Sequence, residues 1–210
     1  MTASADRWAG VDVGARKGFD VAVIDRNRVV GGPTRITGVA EVVRWLRRHD
    51  PRIVAVESPR SAAPDGELSR RDERELVRAG VCGIRYTPNE AALAANTTYY
   101  AWIANGFKLY AALAAESRAA GWEVIECFPT ATWSRLGGKR SGRPRARWSR
   151  EVLTALQLGS VPDRLNQDGR DAIGAALTAM HYDDGNSEAF GGEIIVPLSR
   201  PSTSDSRNRV

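Results

Sequence analysis

Four acidic side chains that lie far apart in the sequence have the types and settings to do chemistry together. They are Asp12, Glu57, Asp168 and Asp171. Asp12 interrupts an apolar stretch that reads as a β-strand, where a carboxylate must be paired, hydrated or metal-bound because burying it bare is costly. Glu57 ends a second apolar stretch. The last two acids are three residues apart on a predicted helix, which puts them on one face.

The strands that carry Asp12 and Glu57 are expected to be neighbours, so the four acids should converge at one edge of a sheet. Carboxylates held within a few Å repel one another unless divalent cations lie between them. Oxygen ligands of this kind suit Mg²⁺ or Mn²⁺, and a pair of such ions can activate water and stabilise the leaving oxygen in phosphodiester cleavage. The acids therefore predict a magnesium or manganese centre.

The elements that must position these acids begin with three strands joined by glycine-rich or Asn-containing turns, which predict an antiparallel meander over residues 8–13, 19–25 and 28–36. Apolar residues at helical spacing then predict a helix over residues 38–48. The apolar run 53–56 follows and is typical of a central strand covered on both faces.

The second half of the chain alternates further helices and strands. The predictions are a charged helix at 66–79, a short strand at 83–86, a helical region at 89–119, a buried strand at 123–129, and helices at 150–156 and 167–181. This order predicts an α/β fold in which the antiparallel meander continues into parallel strands of a mixed sheet.

Four segments, in this order, resemble motifs of the RNase H-like superfamily, especially those of bacterial Holliday-junction resolvases. The segments are GVDVGARKGFDVAVID, VAVESP, VIECFPTATWSRLGGK and DGRDAIGAALTAMHY. They are even more similar to a bacterial domain family known as predicted RNase H-like nucleases, which residues 60–121 match better than the resolvases. The resemblance implies one RNase H-like domain over residues 6–198, its mixed sheet flanked by helices, and a disordered tail at 199–210.

The resemblance also implies which acids act. The catalytic set carried over by motif is Asp12, Glu57, Asp168 and Asp171. The implied metal ligands are Asp12, Glu57 and Asp171, with Glu126 ranked below them because it matches an acid that is not a principal ligand in resolvases. Gly169 and Arg170 replace the small apolar pair usual between the last two acids. Asp168 could therefore cap the helix instead of binding metal.

A basic segment, residues 137–151, could hold a nucleic-acid backbone. Its candidate contacts are Lys139, Arg140, Arg143, Arg145, Arg147 and Arg150, with Trp148 as a stacking platform. A solvated, flexible loop in an arginine-rich chain is the alternative. The net charge of +5 and the pI near 9.6 are compatible with a polyanionic partner, DNA or RNA.

Several of these groups also have ordinary structural interpretations. Asp12 could be a turn-edge acid or a structural hydrogen-bond acceptor, and Glu57 a surface acid before a proline. His49 and His181 end helices, where a cation suits the helix dipole. An aromatic group at helical spacings is more typical of a core than of a binding surface: Tyr99, Tyr100, Trp102, Phe107 and Tyr110. A charged run is expected to be an exposed helix face: Arg60, Arg70, Arg71 and Arg74.

Three function classes follow. The first is a metal-dependent nuclease that hydrolyses DNA or RNA by a two-metal-ion mechanism. The second is an inactive RNase H-like module that binds nucleic acid or a protein partner. The third is ATP-dependent phosphoryl transfer, suggested by Asp12-Val13-Gly14, but 210 residues leave no room for a second lobe and no P-loop is present.

The remaining expectations concern location and assembly. The chain lacks a signal peptide and an apolar run long enough for a membrane span. Cys82 and Cys127 have no metal-ligand spacing, which favours a reducing cytoplasm. The resemblance to resolvases makes a homodimer a candidate assembly.

Overall fold

The computed structural model of this protein describes residues 6–199. Within that range the chain forms seven strands and seven helices. The strands are β1 (Trp8–Val13), β2 (Phe19–Ile24), β3 (Val29–Ile36), β4 (Ile53–Glu57), β5 (Glu123–Cys127), β6 (Ser187–Phe190) and β7 (Ile194–Pro197). The helices are α1 (Val39–His49), α2 (Arg71–Arg78), α3 (Glu90–Ala95), α4 (Ala101–Ala120), α5 (Pro129–Gly137), α6 (Arg145–Ala155) and α7 (Gln167–Asp183).

The strands form one mixed sheet in the order β3-β2-β1-β4-β5-β7-β6. The first three strands are an antiparallel meander, and β4, β5 and β7 extend it in parallel with β1. Strand β6 closes the far edge antiparallel to β7. The predicted α/β class, with an antiparallel meander continued by parallel strands and flanked by helices, is confirmed.

Side chains that alternate along β1 enter two separate cores. Trp8 belongs to the core that α7 covers, whereas Val11 and Val13 belong to the core under α1 and α4. Because residues two apart in a strand share a face, Asp12 lies on the same side as Trp8, as the sequence predicted. The acid therefore points toward α7.

Helix α7 crosses β1 in unusually close contact at Gly10. A Cβ atom built on Gly10 would lie 2.0 Å from the Ala172 carbonyl oxygen and 2.3 Å from the Ala176 nitrogen. Only a glycine permits this approach, and alanines on the facing side of the helix keep the gap small. The sequence thus brings the helix that carries Asp171 directly onto the strand that carries Asp12.

Three predicted elements differ from the structure. The helix predicted at 66–79 is limited to Arg71–Arg78, and residues 83–86, predicted as a strand, have no strand partner in the described chain. The helical region predicted at 89–119 is two helices separated by residues 96–100. That stretch, NTTYY, combines an asparagine with β-branched and aromatic residues of low helix propensity.

Other elements were missed or shortened by the sequence interpretation. Helix α5 was missed because Pro129 was taken to end a strand, whereas it occupies the first turn of a helix. Helix α6 begins at Arg145 rather than at residue 150, directly after Pro144. Strands β6 and β7 were not predicted, since each has only four residues.

The predicted disordered tail at 199–210 lies outside the described residues except for Ser199. Among residues 6–199, no helix has both the length and the apolar character that crossing a bilayer requires.

Candidate active site

Two strand pairings place acidic residues around Asp12. In the parallel pairing of β1 with β4, Asp12 lies opposite Glu57, and in the antiparallel pairing with β2 it lies opposite Asp20. Glu57 is the last residue of β4, at the carboxyl edge of the parallel strands where ligands bind in open α/β sheets. The sheet register alone thus gathers three carboxylates.

Helix α7 adds a fourth carboxylate. Asp171 is only 1% exposed, and three side chains donate hydrogen bonds to it. Trp133 Nε1, Gln167 Nε2 and Arg145 Nη2 each lie 2.9 Å from an Asp171 oxygen. These donors fix the carboxylate in place, as a precisely held metal ligand or a structural acid would need.

Asp12, Glu57 and Asp171 form a group that we call the acid triad. One oxygen of each lies within 4.8 Å of the other two. Glu57 Oε2 is buried without a hydrogen-bond partner among the described residues, which is costly unless something binds it. The oxygen-only donor set and the unpaired oxygen both fit a hard divalent cation such as Mg²⁺ or Mn²⁺.

The triad holds its protons more tightly than ordinary carboxyl groups do. Burial raises the pKa of Asp12 to about 6, a hydrogen bond with Glu57 partly opposes this, and the negative charge of Asp171 adds to it. Burial also raises the pKa of Glu57, and the neighbouring Asp12 raises it further. A divalent ion would therefore have to compete with the protons that these two carboxyl groups retain.

Arg145, at the start of α6, supplies positive charge to the triad. Its guanidinium lies 2.9 Å from Asp171 Oδ2 and 3.8 Å from Glu57 Oε1. Its Nε is buried without a hydrogen-bond partner among the described atoms. The sequence interpretation placed Arg145 on nucleic acid, but in this structure it is the counter-charge of the acids.

A second acidic group shares Asp12 with the triad. It consists of Asp12, Asp20 and Asp168, whose oxygens also lie within 4.8 Å of one another. Arg35 neutralises much of it, with Nη2 2.7 Å from Asp20 and 3.0 Å from Asp168. Asp168 is not the helix cap, because the Asn166 side chain accepts the hydrogen bond from the Gly169 N–H.

Asp20 is the acid that the sequence interpretation missed. The signal was present in the hairpin: a turn centred between Val13 and Phe19 pairs Asp12 with Asp20. Burial raises the pKa of Asp20, and the hydrogen bond from Arg35 opposes the rise.

Glu126 lies outside both acidic groups. Arg70 donates to both of its oxygens at 2.8 and 2.9 Å, and the Arg60 N–H donates to one of them at 2.8 Å. Burial nevertheless raises the pKa of Glu126 to about 7. Its oxygens are thus engaged by an ion pair. Glu126 lines the same cavity as Asp12 and Glu57 but belongs to neither group of acids whose oxygens lie within 4.8 Å of one another.

The prediction that Trp148 is a stacking platform is wrong. Its side chain is fully buried in the core under α7, and its Nε1 donates to the Gly138 carbonyl. The reason is that α6 begins at Arg145, so Trp148 belongs to the helix and lies on its buried face. The flanking arginines are tied to acids, since Arg143 and Arg147 both pair with Glu151.

The remaining predicted nucleic-acid contacts keep exposed positions. Lys139, Arg140, Arg147 and Arg150 are exposed, and they follow the loop and first turns that lead into α6. Arg145, in the same helix as Arg147 and Arg150, contacts the triad, whereas Lys139 and Arg140 line a separate cavity with residues 77–83.

Two further sequence interpretations need correction. Arg70 is not on an exposed helix face: it is 4% exposed and pairs with Glu126 and Asp72. The aromatic group is not all core. Tyr110 is buried, whereas Tyr99 is 47% exposed and Trp102 is half-buried beside the triad.

Comparisons with known proteins concern the fold. No protein-family model and no curated protein matches the chain. Thermus thermophilus RuvC in complex with a Holliday junction substrate is 18% identical, with a TM-score of 0.55 over 92% of this chain and 99% of that one. Another Thermus thermophilus RuvC structure is 17% identical, with a TM-score of 0.48 over 85% of this chain and 96% of that one. What this chain shares with the RuvC complex is thus the fold.

Proposed function

We propose that this protein is a metal-dependent nuclease that hydrolyses phosphodiester bonds of DNA or RNA. The observation that carries the proposal is the acid triad, with its unpaired Glu57 oxygen, at the carboxyl edge of an RNase H-like sheet. The fold that this chain shares with RuvC supports the proposal, since the solved RuvC complex contains a Holliday junction substrate.

Asp12, Glu57 and Asp171 would hold the cation, and Asp12 is also shared with the second group. Two groups that share one carboxylate suit a pair of ions, consistent with a two-metal mechanism. Bound Mg²⁺ or Mn²⁺ would supply water activation and stabilisation of the leaving oxygen. Trp133 and Gln167 orient Asp171 through their hydrogen bonds, so that this ligand needs no reorganisation when the ion binds.

The exposed basic residues around the start of α6 would position the substrate. Lys139, Arg140 and Arg147 can pair with phosphates without leaving a buried partner behind. Such contacts fix the register of the backbone and carry no sequence information.

The test compares cleavage of branched, duplex and single-stranded DNA and RNA, with Mg²⁺, with Mn²⁺ and with a chelator. The wild type should cleave at least one substrate only with metal, and Asp12→Asn should abolish the cleavage. Asp6→Asn is the matched control, because Asp6 lies at the opposite end of β1 from Asp12. Its ion pair with Arg52 is on the surface, and such pairs contribute little to stability. Substrates left intact by the wild type under all conditions would contradict the proposal.

Arg145 favours a second candidate, an RNase H-like module that binds nucleic acid without cleaving it. Its guanidinium already neutralises Asp171 and approaches Glu57, so the acids have a counter-charge in the absence of metal. This candidate requires salt-sensitive binding that neither a chelator nor added Mg²⁺ changes.

A further inference from the structure

A cavity of about 440 Å³ opens directly beside the acid triad. Asp12, Glu57 and Arg145 line one side of it. Its volume lies in the range of roughly 300–1,000 Å³ that is usual for small-molecule sites, so it can hold one unit of a polymer but not a duplex. We call it the side cavity.

Another part of the lining comes from residues 60–121, the segment whose sequence resembles the predicted RNase H-like nucleases more than the resolvases. It includes Ile84, Arg85, Thr87 and Trp102. Trp102 presents an aromatic ring, and Arg85 is exposed with its guanidinium 5.3 Å from the centre of the Tyr99 ring. An aromatic surface with a cation beside it is the combination that binds single-stranded nucleotides: the base stacks and the phosphate pairs.

The structure holds Trp102 firmly relative to the acids. One helical turn further along α4, Asn105 Nδ2 donates to the Gly14 carbonyl at 2.9 Å, in the turn that follows Asp12. The next residue, Gly106, packs so closely on Ser58 that an added Cβ would lie 1.8 Å from Ser58 Oγ. The part of α4 that carries Trp102 is therefore held against the segments that follow Asp12 and Glu57.

We propose that the side cavity receives one unpaired nucleotide next to the scissile bond, with its base against Trp102 and an adjoining phosphate near Arg85. The proposal rests on the proposed nuclease function, which places a phosphodiester at the triad. A paired base cannot enter without leaving its stack, which costs a few kcal/mol, whereas an unpaired base enters more easily. The substrate is then a single strand or a duplex with an unpaired nucleotide, and a fully paired duplex is a poor ligand.

The experiment measures binding apart from cleavage. The probe is a DNA duplex with one unpaired 2-aminopurine, whose fluorescence falls when the base stacks on an aromatic ring, measured in a chelator so that no metal is bound. Wild-type protein should quench it. Trp102→Ala should lose most of the quenching and bind about tenfold more weakly, within the range that one stacked base contributes. Trp102→Phe should retain part of both.

Arg118→Ala is the matched control, because Arg118 is an exposed arginine near the other end of the same helix. It should quench as the wild type does. An unlabelled, fully paired duplex of the same sequence should compete at least roughly tenfold more weakly than the duplex with an unpaired nucleotide. Quenching that survives in Trp102→Ala, or equal competition by the paired duplex, would overturn the proposal.

Cleavage by the same variants separates the two proposals. Asp12→Asn should abolish cleavage and keep the quenching. If the wild type cleaves nothing but the quenching depends on Trp102, the nuclease function fails and the side cavity is still a nucleotide site. If the wild type cleaves and Trp102→Ala keeps the wild-type preference for the unpaired over the paired substrate, the cavity proposal fails alone.

Discussion

At the scale of single residues, the acid triad ties proton binding to cation binding. Asp12 and Glu57 face each other across two parallel strands, and burial raises the pKa of both. Asp171 is fixed by donors, and its pKa is also raised, mainly by burial. A site built this way is stable when it is protonated or when a cation is bound, and least stable when it is fully ionised and empty.

The first prediction follows from the sign of the Asp12 shift. Its pKa of about 6 in the folded protein lies above the ordinary value of 3.8, so the stability it contributes is present at low pH and lost as the pH rises through 6. In a chelator, the free energy of unfolding of the wild type should fall by roughly 2 kcal/mol relative to Asp12→Asn between pH 4 and pH 7.5. Urea unfolding at a series of pH values measures this.

Added Mg²⁺ should restore the stability of the wild type above pH 6 and have little effect on Asp12→Asn, because the ion binds the ionised triad. Parallel pH profiles of the two proteins in the chelator would contradict the expectation.

The second prediction concerns Arg145, which pairs with Asp171. A divalent cation that binds Asp171 must either displace Arg145 or share the carboxylate with it. Arg145→Gln should bind Mn²⁺ more tightly, by a factor of roughly three to ten, because it removes a competing charge–charge interaction of about 0.7–1.4 kcal/mol. Titration calorimetry at neutral pH measures the affinity. Arg150→Gln, an exposed arginine on the same helix, should leave it unchanged. Weaker Mn²⁺ binding by Arg145→Gln would show that the arginine supports the site instead of competing for it.

At the scale of elements, the sheet register predicts most of the site, and helix boundaries account for the errors. The strand that carries Asp12 could be recognised from its apolar neighbours, and β4 from its uninterrupted apolar run. Asp20 could have been found by counting back across the β1–β2 turn. Trp148 could not be placed, since its inward direction depends on where α6 begins, and a Gly- and Arg-rich stretch gives no periodic apolar signal there.

The third prediction tests the close approach of α7 to β1. Gly10→Ala would place a Cβ 2.0 Å from the Ala172 carbonyl oxygen and 2.3 Å from the Ala176 nitrogen, far closer than van der Waals contact, and these backbone atoms cannot rotate away. The variant should lose about 3 kcal/mol or more of unfolding free energy, at the upper end of overpacking costs. Since α7 also carries Asp171, Mn²⁺ affinity should fall as well. Urea unfolding and metal titration measure the two effects.

Gly83→Ala is the control, because its added Cβ meets nothing within 4 Å. It should change stability by no more than about 0.5 kcal/mol. A Gly10→Ala protein as stable as Gly83→Ala would mean that the helix is not seated on the strand as the structure has it.

At the scale of the whole molecule, two kinds of substrate contact lie on different parts of the chain. The basic surface around the start of α6 would bind the phosphate backbone of any nucleic acid, whereas the side cavity would bind only an unpaired nucleotide. The basic surface could be anticipated from the net charge of +5 and the clustered arginines, although three of the five arginines in residues 137–151 are paired with acids. The side cavity could not be anticipated from the sequence, because residues 84–87 and Trp102 meet only in the folded protein.

The last prediction separates these contacts by their salt dependence. Lys139→Gln combined with Arg140→Gln removes two exposed charges, so the slope of log affinity against log salt should decrease by about one to two. The loss of affinity should be the same for single-stranded and fully paired DNA, because phosphate contacts ignore pairing. Fluorescence anisotropy over a series of salt concentrations measures both quantities.

Trp102→Ala should behave in the opposite way: it should leave the salt slope unchanged and weaken only the binding of unpaired DNA. Arg78→Gln combined with Arg118→Gln is the control for the double variant, since it removes two exposed arginines outside the basic surface. If this control lowers the slope as much as the Lys139 and Arg140 substitutions, the affinity comes from net charge alone. A lower slope confined to the Lys139 and Arg140 substitutions locates the phosphate contacts in the segment that leads into α6.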